Sequence, residues 1–381
     1  MPAARRGWIM FLVAVLVTAL TGHEFQSMHL REPVYPGPGV TRKAMLGDYV
    51  PAFEGSAADT PVFILEGTSP GPTLLVFGGT HPQEVSGMLA AVLLVENVRV
   101  ERGRLIVIPH ANQSGFTYTE PLEAFPHDFG IPTAKGERRF RLGMRLTNPL
   151  HQWPDPDLYS HFPSGEPLIG SEARNLNRAY PGRPDGRYTE RLANAILTIA
   201  RKEKVDVVLD MHEAYPEYPI INMIVAHERA FEIATMTTVA LQARGVPMNI
   251  MASPKNLHGL THREFGDHTQ AHALLSETAN PAMGRFRGRT DEALVVGGRD
   301  ANYVAAAKLK RLFVPFDDKG HPLVARVARQ IVTIEELLAA WNDANGTNTF
   351  AIGGLPAYDE IRSRGIGAFL RLPPEMSPAP H

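Results

Sequence analysis

The chain contains no cysteine. That absence excludes a lipobox, a disulfide framework, a thiol nucleophile and any cysteine-ligated zinc, so a bound metal has to be held by histidine and carboxylate. An excess of one charge is missing too, since 38 Lys and Arg stand against 40 Asp and Glu. Without a basic surplus, phosphate backbones are poor partners and nucleic-acid binding is not expected. No internal repeat is visible. What remains is a chain of 381 residues with 44% hydrophobic content, an ordinary globular composition. Its length suits one large α/β domain with appendages, or two modest domains.

Arg5 and Arg6 precede an apolar run from Trp8 to Leu20, which gives way to Thr21-Gly22-His23-Glu24. This is the layout of a Sec-type signal peptide or an uncleaved anchor, and the run is shorter than the roughly 20 residues of a spanning helix. Residues 1–22 therefore read as a signal or anchor and residues 23–56 as an irregular, Pro- and Gly-rich lead-in. A catalytic domain is expected over 57–315 and a C-terminal helical extension and tail over 316–381. Within the extension, Leu323, Val327, Ile331 and Leu338 have helical spacing, whereas Pro373 to His381 looks frayed.

Short apolar runs at Val62–Leu65 and Thr73–Phe77, bounded by Gly and Pro, read as buried strands. Val85 to Val95 has helical length. Further strands are expected at Arg104–Pro109, Val205–Met211, Ile220–Ala226 and Ala271–Ser276, and helices at Thr189–Lys202 and Arg229–Ala243. Strands alternating with helices imply a mixed, mostly parallel sheet covered on both faces. The segment His110–Gly182, dense in Pro, Gly, Asp and aromatics, is too long for slack and reads as functional.

Chemistry concentrates in four places: His81-Pro82-Gln83-Glu84, Asn175-Leu176-Asn177-Arg178, Asp210-Met211-His212 and Ser276-Glu277-Thr278. A catalytic zinc takes three ligands from His and carboxylate and keeps a position for water; His81, Glu84 and His212 make such a set. Glu277 is then free as a general base. Each part has a bland reading: Glu84 as a first-turn acid favoured by the helix dipole, His212 as a solvated strand end, Arg178 as a surface arginine before Tyr180-Pro181-Gly182. Glu277 could equally pair with Arg285, Arg287 or Arg289. Against that, strand ends are where α/β sites collect ligands, and Asp210 shares a face with His212 by the period of two. Arg178 offers a planar fork suited to a carboxylate. All four coincidences would have to occur in the right order.

That order, with Gly-Gly-Thr-His at its start and Asn-Leu-Asn-Arg in its middle, resembles the zinc carboxypeptidase superfamily, closest to its succinylglutamate desuccinylase and aspartoacylase branch. The resemblance covers roughly Val62 to Asn280. It implies a three-layer α/β/α sandwich, one Zn2+ per chain on His81, Glu84 and His212, carboxylate recognition by Asn177 and Arg178, and Glu277 as the base. Gly143-Met144-Arg145 resembles the branch's Gly-x-Arg, which implies Arg145 as the oxyanion partner; Arg138, Arg139 and Arg141 lie close by. Many relatives carry Asp where this chain has Asn175, a position that orients the first zinc histidine without ligating. An Asn oxygen can accept the imidazole proton but brings no charge.

The expected activity is hydrolysis of an amide in a small peptide or N-acyl amino acid bearing a free carboxylate, by an exported protein, periplasmic or secreted, or anchored through its N-terminal segment. Carboxypeptidase action is the first reading, N-acyl amino acid deacylation the alternative, and a catalytically silent binding protein a third. His258, His262, His268 and His272 form a further cluster; Pro254, Gly259 and Gly266 argue for loops there, without a metal role.

Overall fold

Side chains alternate along neighbouring strands and build a core on each face of one sheet in the computed structural model, which describes residues 3–119 and 125–373. The chain begins with α1 (Ala3–Ser27), β1 (Arg42–Met45) and the single turn α2 (Leu46–Tyr49). Then follow β2 (Pro61–Glu66), β3 (Ser69–Gly78), α3 (Val85–Asn97) and β4 (Arg99–Ile108). Two hairpins, β5 (Asp128–Thr133) with β6 (Gly136–Arg141) and β7 (Leu158–Ser160) with β8 (Pro167–Ile169), precede α4 (Tyr188–Lys202). Next come β9 (Val207–Ala214), β10 (Met223–Ala226), α5 (Phe231–Ala243), β11 (Asn249–Ala252), α6 (Thr261–His268) and β12 (His272–Ala279). The short helices α7 (Glu292–Gly297) and α8 (Ala301–Lys308) lead to α9 (Leu323–Asn345), β13 (Ala351–Gly353) and α10 (Tyr358–Arg364).

The main sheet runs β1-β2-β4-β3-β9-β12-β10-β11, and β13 pairs with the start of β4. Its centre, β4-β3-β9-β12, is parallel; β1, β2 and β13 join antiparallel on one side and β10 on the other. Leu74 and Val76 of β3 face one cluster with α3, α5 and α9, whereas Leu75 and Phe77 face the other with α4. This is the three-layer mixed sandwich expected from the alternation of strands and helices. Helix α3 is buried on all sides from Val85 to Glu96, so its apolar run shows no amphipathic stripe. Each fully buried Leu or Val there contributes roughly 1.5–3 kcal/mol of transfer free energy.

Several expected boundaries shift. Helix α1 continues past Leu20 to Ser27, and Ala4–Ser27, 24 residues with none of its window buried, is long and apolar enough to cross a membrane. The stretch read as an irregular lead-in contributes β1, because Arg42 to Met45 find unpaired backbone groups along β2. The C-terminal extension packs on the core through α9, whose Leu323, Val327, Ile331 and Leu338 share one apolar cluster with strand residues of the main sheet. The strand expected from Ile220 starts at Met223. Of the frayed tail at Pro373–His381, all but Pro373 lies outside the described residues.

Candidate metal centre

Three neighbouring parallel strands deliver the polar residues to one end of the sheet. Phe77 of β3 sits opposite Asp210 of β9, and His212 opposite Glu277 of β12. His81 and Glu84 follow β3 in a turn, closed by the Glu84 N–H donating to the His81 carbonyl at 2.9 Å. Glu84 is therefore not an acid of the first helical turn: it caps α3, which starts at Val85. That helix lies hard against β9 at Gly87, where a Cβ would stand 2.2 Å from the Met211 carbonyl oxygen. The close approach brings the Glu84 carboxylate under His212, and its Oε2 also accepts the Glu213 N–H at 2.9 Å.

Hydrogen bonds fix which imidazole nitrogen faces Glu84. The Asn177 backbone N–H, which can only donate, bonds Asn175 Oδ1 at 3.0 Å and so sets the orientation of that amide. His81 Nε2, 2.9 Å from the same oxygen, must then carry its proton, which leaves the lone pair on Nδ1. That nitrogen lies 2.6 Å from Glu84 Oε1. His212 repeats the arrangement: Nε2 donates to Asp210 Oδ2 at 2.7 Å, and Nδ1 is 2.8 Å from Glu84 Oε2. Asp210 is held in turn by the hydroxyls of Thr80 at 2.9 Å and Thr261 at 2.6 Å.

Such contacts between an imidazole lone pair and a carboxylate oxygen are favourable only with a proton or a cation between them. Among the described residues, His81, Glu84 and His212 form the group able to hold a metal ion, one ligand atom from each lying within 4.8 Å of the others. All three are buried. Two histidines and one carboxylate, with both outer nitrogens bonded to oxygen acceptors, fit zinc chemistry.

The electrostatics follow from burial. Burial and the neighbouring Arg145 cation lower the His81 imidazole, against the pull of Glu84. For His212 burial opposes the charged form, but Asp210 and Glu84 outweigh it and raise the group well above its ordinary value. Glu84 is pulled below the usual carboxylate range because His81 and His212 overcome its burial. Glu277 moves the other way: burial raises its carboxyl far above normal, with Glu84 and Asp210 adding and His212 and Arg145 opposing. Its Oε2 is buried without a hydrogen-bond partner.

Arg145 reaches the cluster, with Nη1 3.4 Å from His81 Nδ1 and 3.8 Å from Glu84 Oε1. The neighbouring arginines do not: Arg138 pairs with Glu96, Arg139 with Asp128 and Glu137, and Arg141 bonds Glu32 and the Leu30 carbonyl. Arg285 and Arg287 bond Glu217, Thr290 and the Gly284 carbonyl. Arg178 donates to the Asn177 carbonyl at 2.6 Å, and its guanidinium is lowered by burial and by the charge of Arg145. Asn177 Oδ1 accepts the Thr261 backbone N–H at 2.9 Å, so this side chain braces the site floor. The second histidine cluster is only partly kept together in space: His262 and His268 lie on helix α6 instead of a loop, His258 and His268 flank Glu264, His262 bonds Ser253, and His272 packs on Trp341.

Sequence reasoning missed four participants. Thr80 and Thr261 secure Asp210, Glu172 bonds Asn175 at 2.6 Å, and Gln330 of α9 donates to the His212 carbonyl at 2.9 Å while accepting from Ser276. Thr80 and Thr261 stood beside flagged histidines, whereas Gln330 carries no local signal.

Comparison with known proteins gives concordant matches. Residues 162–290 match the succinylglutamate desuccinylase/aspartoacylase catalytic domain. That segment holds Asn175 to Arg178, Asp210, His212 and Glu277, and the resemblance read from the ordered motifs is borne out. The N-alpha-acetyl-L-2,4-diaminobutyric acid deacetylase of Halomonas elongata is 28% identical over 159 residues, 41% of this chain and 33% of that protein. The chain thus matches about a third of the length of this curated relative. Among solved structures, a succinylglutamate desuccinylase/aspartoacylase from Rhodobacter sphaeroides aligns at 21% identity and a TM-score of 0.34, covering 57% of this chain and 51% of that one. The tripeptide-bound cell shape determinant Csd4 of Helicobacter pylori aligns at 13% identity and 0.46, covering 80% and 60%.

Proposed function

We propose that this chain is a zinc-dependent amide hydrolase that removes the acyl group from an N-acyl amino acid. The observation that carries the reading is the convergence, at one sheet end, of His81, Glu84 and His212 with the Glu277 carboxyl, whose Oε2 is buried without a partner, and the Arg145 guanidinium. The desuccinylase/aspartoacylase match and the deacetylase relative favour deacylation over the carboxypeptidase action placed first by sequence.

Zinc on His81, Glu84 and His212 would polarise the amide carbonyl and acidify water. The chain's own residues supply the rest. Glu277, whose buried carboxyl binds a proton more readily than an exposed one, takes a proton from water and returns it to the departing amine. Arg145, partly exposed beside the cluster, meets the developing negative charge on the carbonyl oxygen. Arg178 binds the substrate carboxylate through its planar fork, and Asn177 supports it. Peptide substrates are the second reading, favoured by α1: export of the body would bring it to peptides outside the cytoplasm.

Zinc-loaded protein presented with N-acetyl and N-succinyl amino acids and with short peptides tests both readings. Free amino acid is expected from the acyl substrates, and Glu277→Gln should keep its zinc while losing about 10²–10⁴ in kcat. Cleavage of peptides with no acyl substrate turned over would hand the site to carboxypeptidase action. Full activity in Glu277→Gln would remove that residue from the chemistry.

A further inference from the structure

We infer that Glu172 tunes the metal centre through Asn175, supplying from one residue away the negative charge that this neutral amide lacks. The inference rests on the reading of His81 as a metal ligand. Glu172 lies in the short turn Gly170–Arg174, which is pinned at its start: a Cβ on Gly170 would stand 1.6 Å from the Pro156 carbonyl oxygen. Its Oε2 accepts Asn175 Nδ2–H at 2.6 Å, and Asn175 Oδ1 accepts His81 Nε2–H at 2.9 Å. The Asn177 N–H on Oδ1 forbids the flipped amide, so the chain of donors runs one way, from His81 through Asn175 to Glu172. A carboxylate on the amide nitrogen draws the N–H towards itself and enriches the amide oxygen, which in turn makes His81 Nδ1 a stronger donor. Glu172 Oε2 also lies 3.7 Å from Arg178 Nε, so one carboxylate serves both the first histidine and the arginine read as the substrate's anchor. Glu172 is thus a positioning residue and touches neither metal nor substrate.

Exchanging the charges between the two positions separates tuning from mere structure. Zinc affinity is measured on the full chain by competition with a chromophoric chelator, for wild type, His81→Ala, Glu172→Gln, Asn175→Asp and the double variant Glu172→Gln/Asn175→Asp. Glu172→Gln keeps a hydrogen-bond acceptor but loses the charge, and should bind zinc on the order of 10-fold more weakly. Asn175→Asp alone sets two carboxylates in hydrogen-bond contact and should also bind worse than wild type. The double variant, with the charge moved onto position 175, should recover wild-type affinity or exceed it. Wild-type affinity in Glu172→Gln, or a double variant no tighter than Glu172→Gln, overturns the inference while zinc binding lost only in His81→Ala leaves the metal reading standing. A wild-type protein that takes up no zinc overturns the metal reading, and this inference with it. Thermal unfolding of the metal-free variants shows whether each one is folded.

Discussion

Burial holds the His262 imidazole at about 3, far below its ordinary 6.5, with the charges of His212, Arg263, Arg178 and His227 adding to the effect. The neutral ring is fixed by Ser253 Oγ, 2.8 Å from Nδ1. In the unfolded chain the same ring takes up a proton as the pH falls below 6.5, whereas the folded protein resists until about 3. Stability is therefore present above 6.5 and is lost as the pH falls through that window, by up to about 1.4 kcal/mol per pH unit. Urea unfolding at several pH values between 7 and 4 should show a shallower slope for His262→Asn than for wild type. Equal slopes would mean that other groups carry the acid sensitivity. In the histidine cluster of this region His262 is satisfied by Ser253, whereas His258 and His268 share the Glu264 carboxylate.

Helix α9 is the element whose importance was least visible beforehand. Its heptad-like apolar spacing announced a helix, but the polar residues on its inner face do the specific joining. Arg326 Nη1 bonds Glu213 Oε1 at 2.7 Å with both side chains buried, and Glu213 also accepts from Ser86 N and Asn280. One turn on, Gln330 ties the His212 carbonyl to the Ser276 hydroxyl, the residue before Glu277. Removing one partner of a buried ion pair strands the other, a loss on the order of 3–5 kcal/mol. Arg326→Met should therefore lower unfolding free energy by that amount in denaturant titration. A change below about 1 kcal/mol would show that water reaches Glu213 and replaces the guanidinium.

Across the whole molecule, α1 stands apart from the body. Its apolar window is fully exposed, and its contacts come at its end, where Glu24 meets His127 and Arg141 bonds the Ser27 carbonyl. Cell fractionation should recover the full chain with membranes, and a protein beginning at Arg31 in the soluble fraction. Arg31 itself bonds the Ser56 and Asp59 carbonyls, so trimming before it leaves those contacts intact. The trimmed protein should melt within a few degrees of the full chain, since no core residue of α1 is removed. Intact, uncleaved full chain in the soluble fraction would exclude α1 as an anchor.

Periodicity and order carry far in this chain. Runs such as Thr73–Phe77 and Val205–Met211 alternate between two cores, and a period of two is a local property, so the sandwich with its mostly parallel sheet was legible, whereas the order of the strands came only with the structure. Residues at the ends of those strands were legible too, because a parallel sheet gathers its carboxyl ends in one place. Edge strands β1, β11 and β13 were not: three or four residues pair only because a neighbour offers free backbone groups. Nor was the proton arrangement of the site. Which nitrogen of His81 carries hydrogen depends on an amide whose orientation is set by the Asn177 backbone and whose other end meets Glu172. The sequence by itself determined which side chains carry chemistry and on which strands they end, since those follow from residue type and local pattern. Only the tertiary structure decided which of four arginines reaches the cluster, that α9 braces it, and how its hydrogen bonds run, because these depend on distances between segments far apart in the chain.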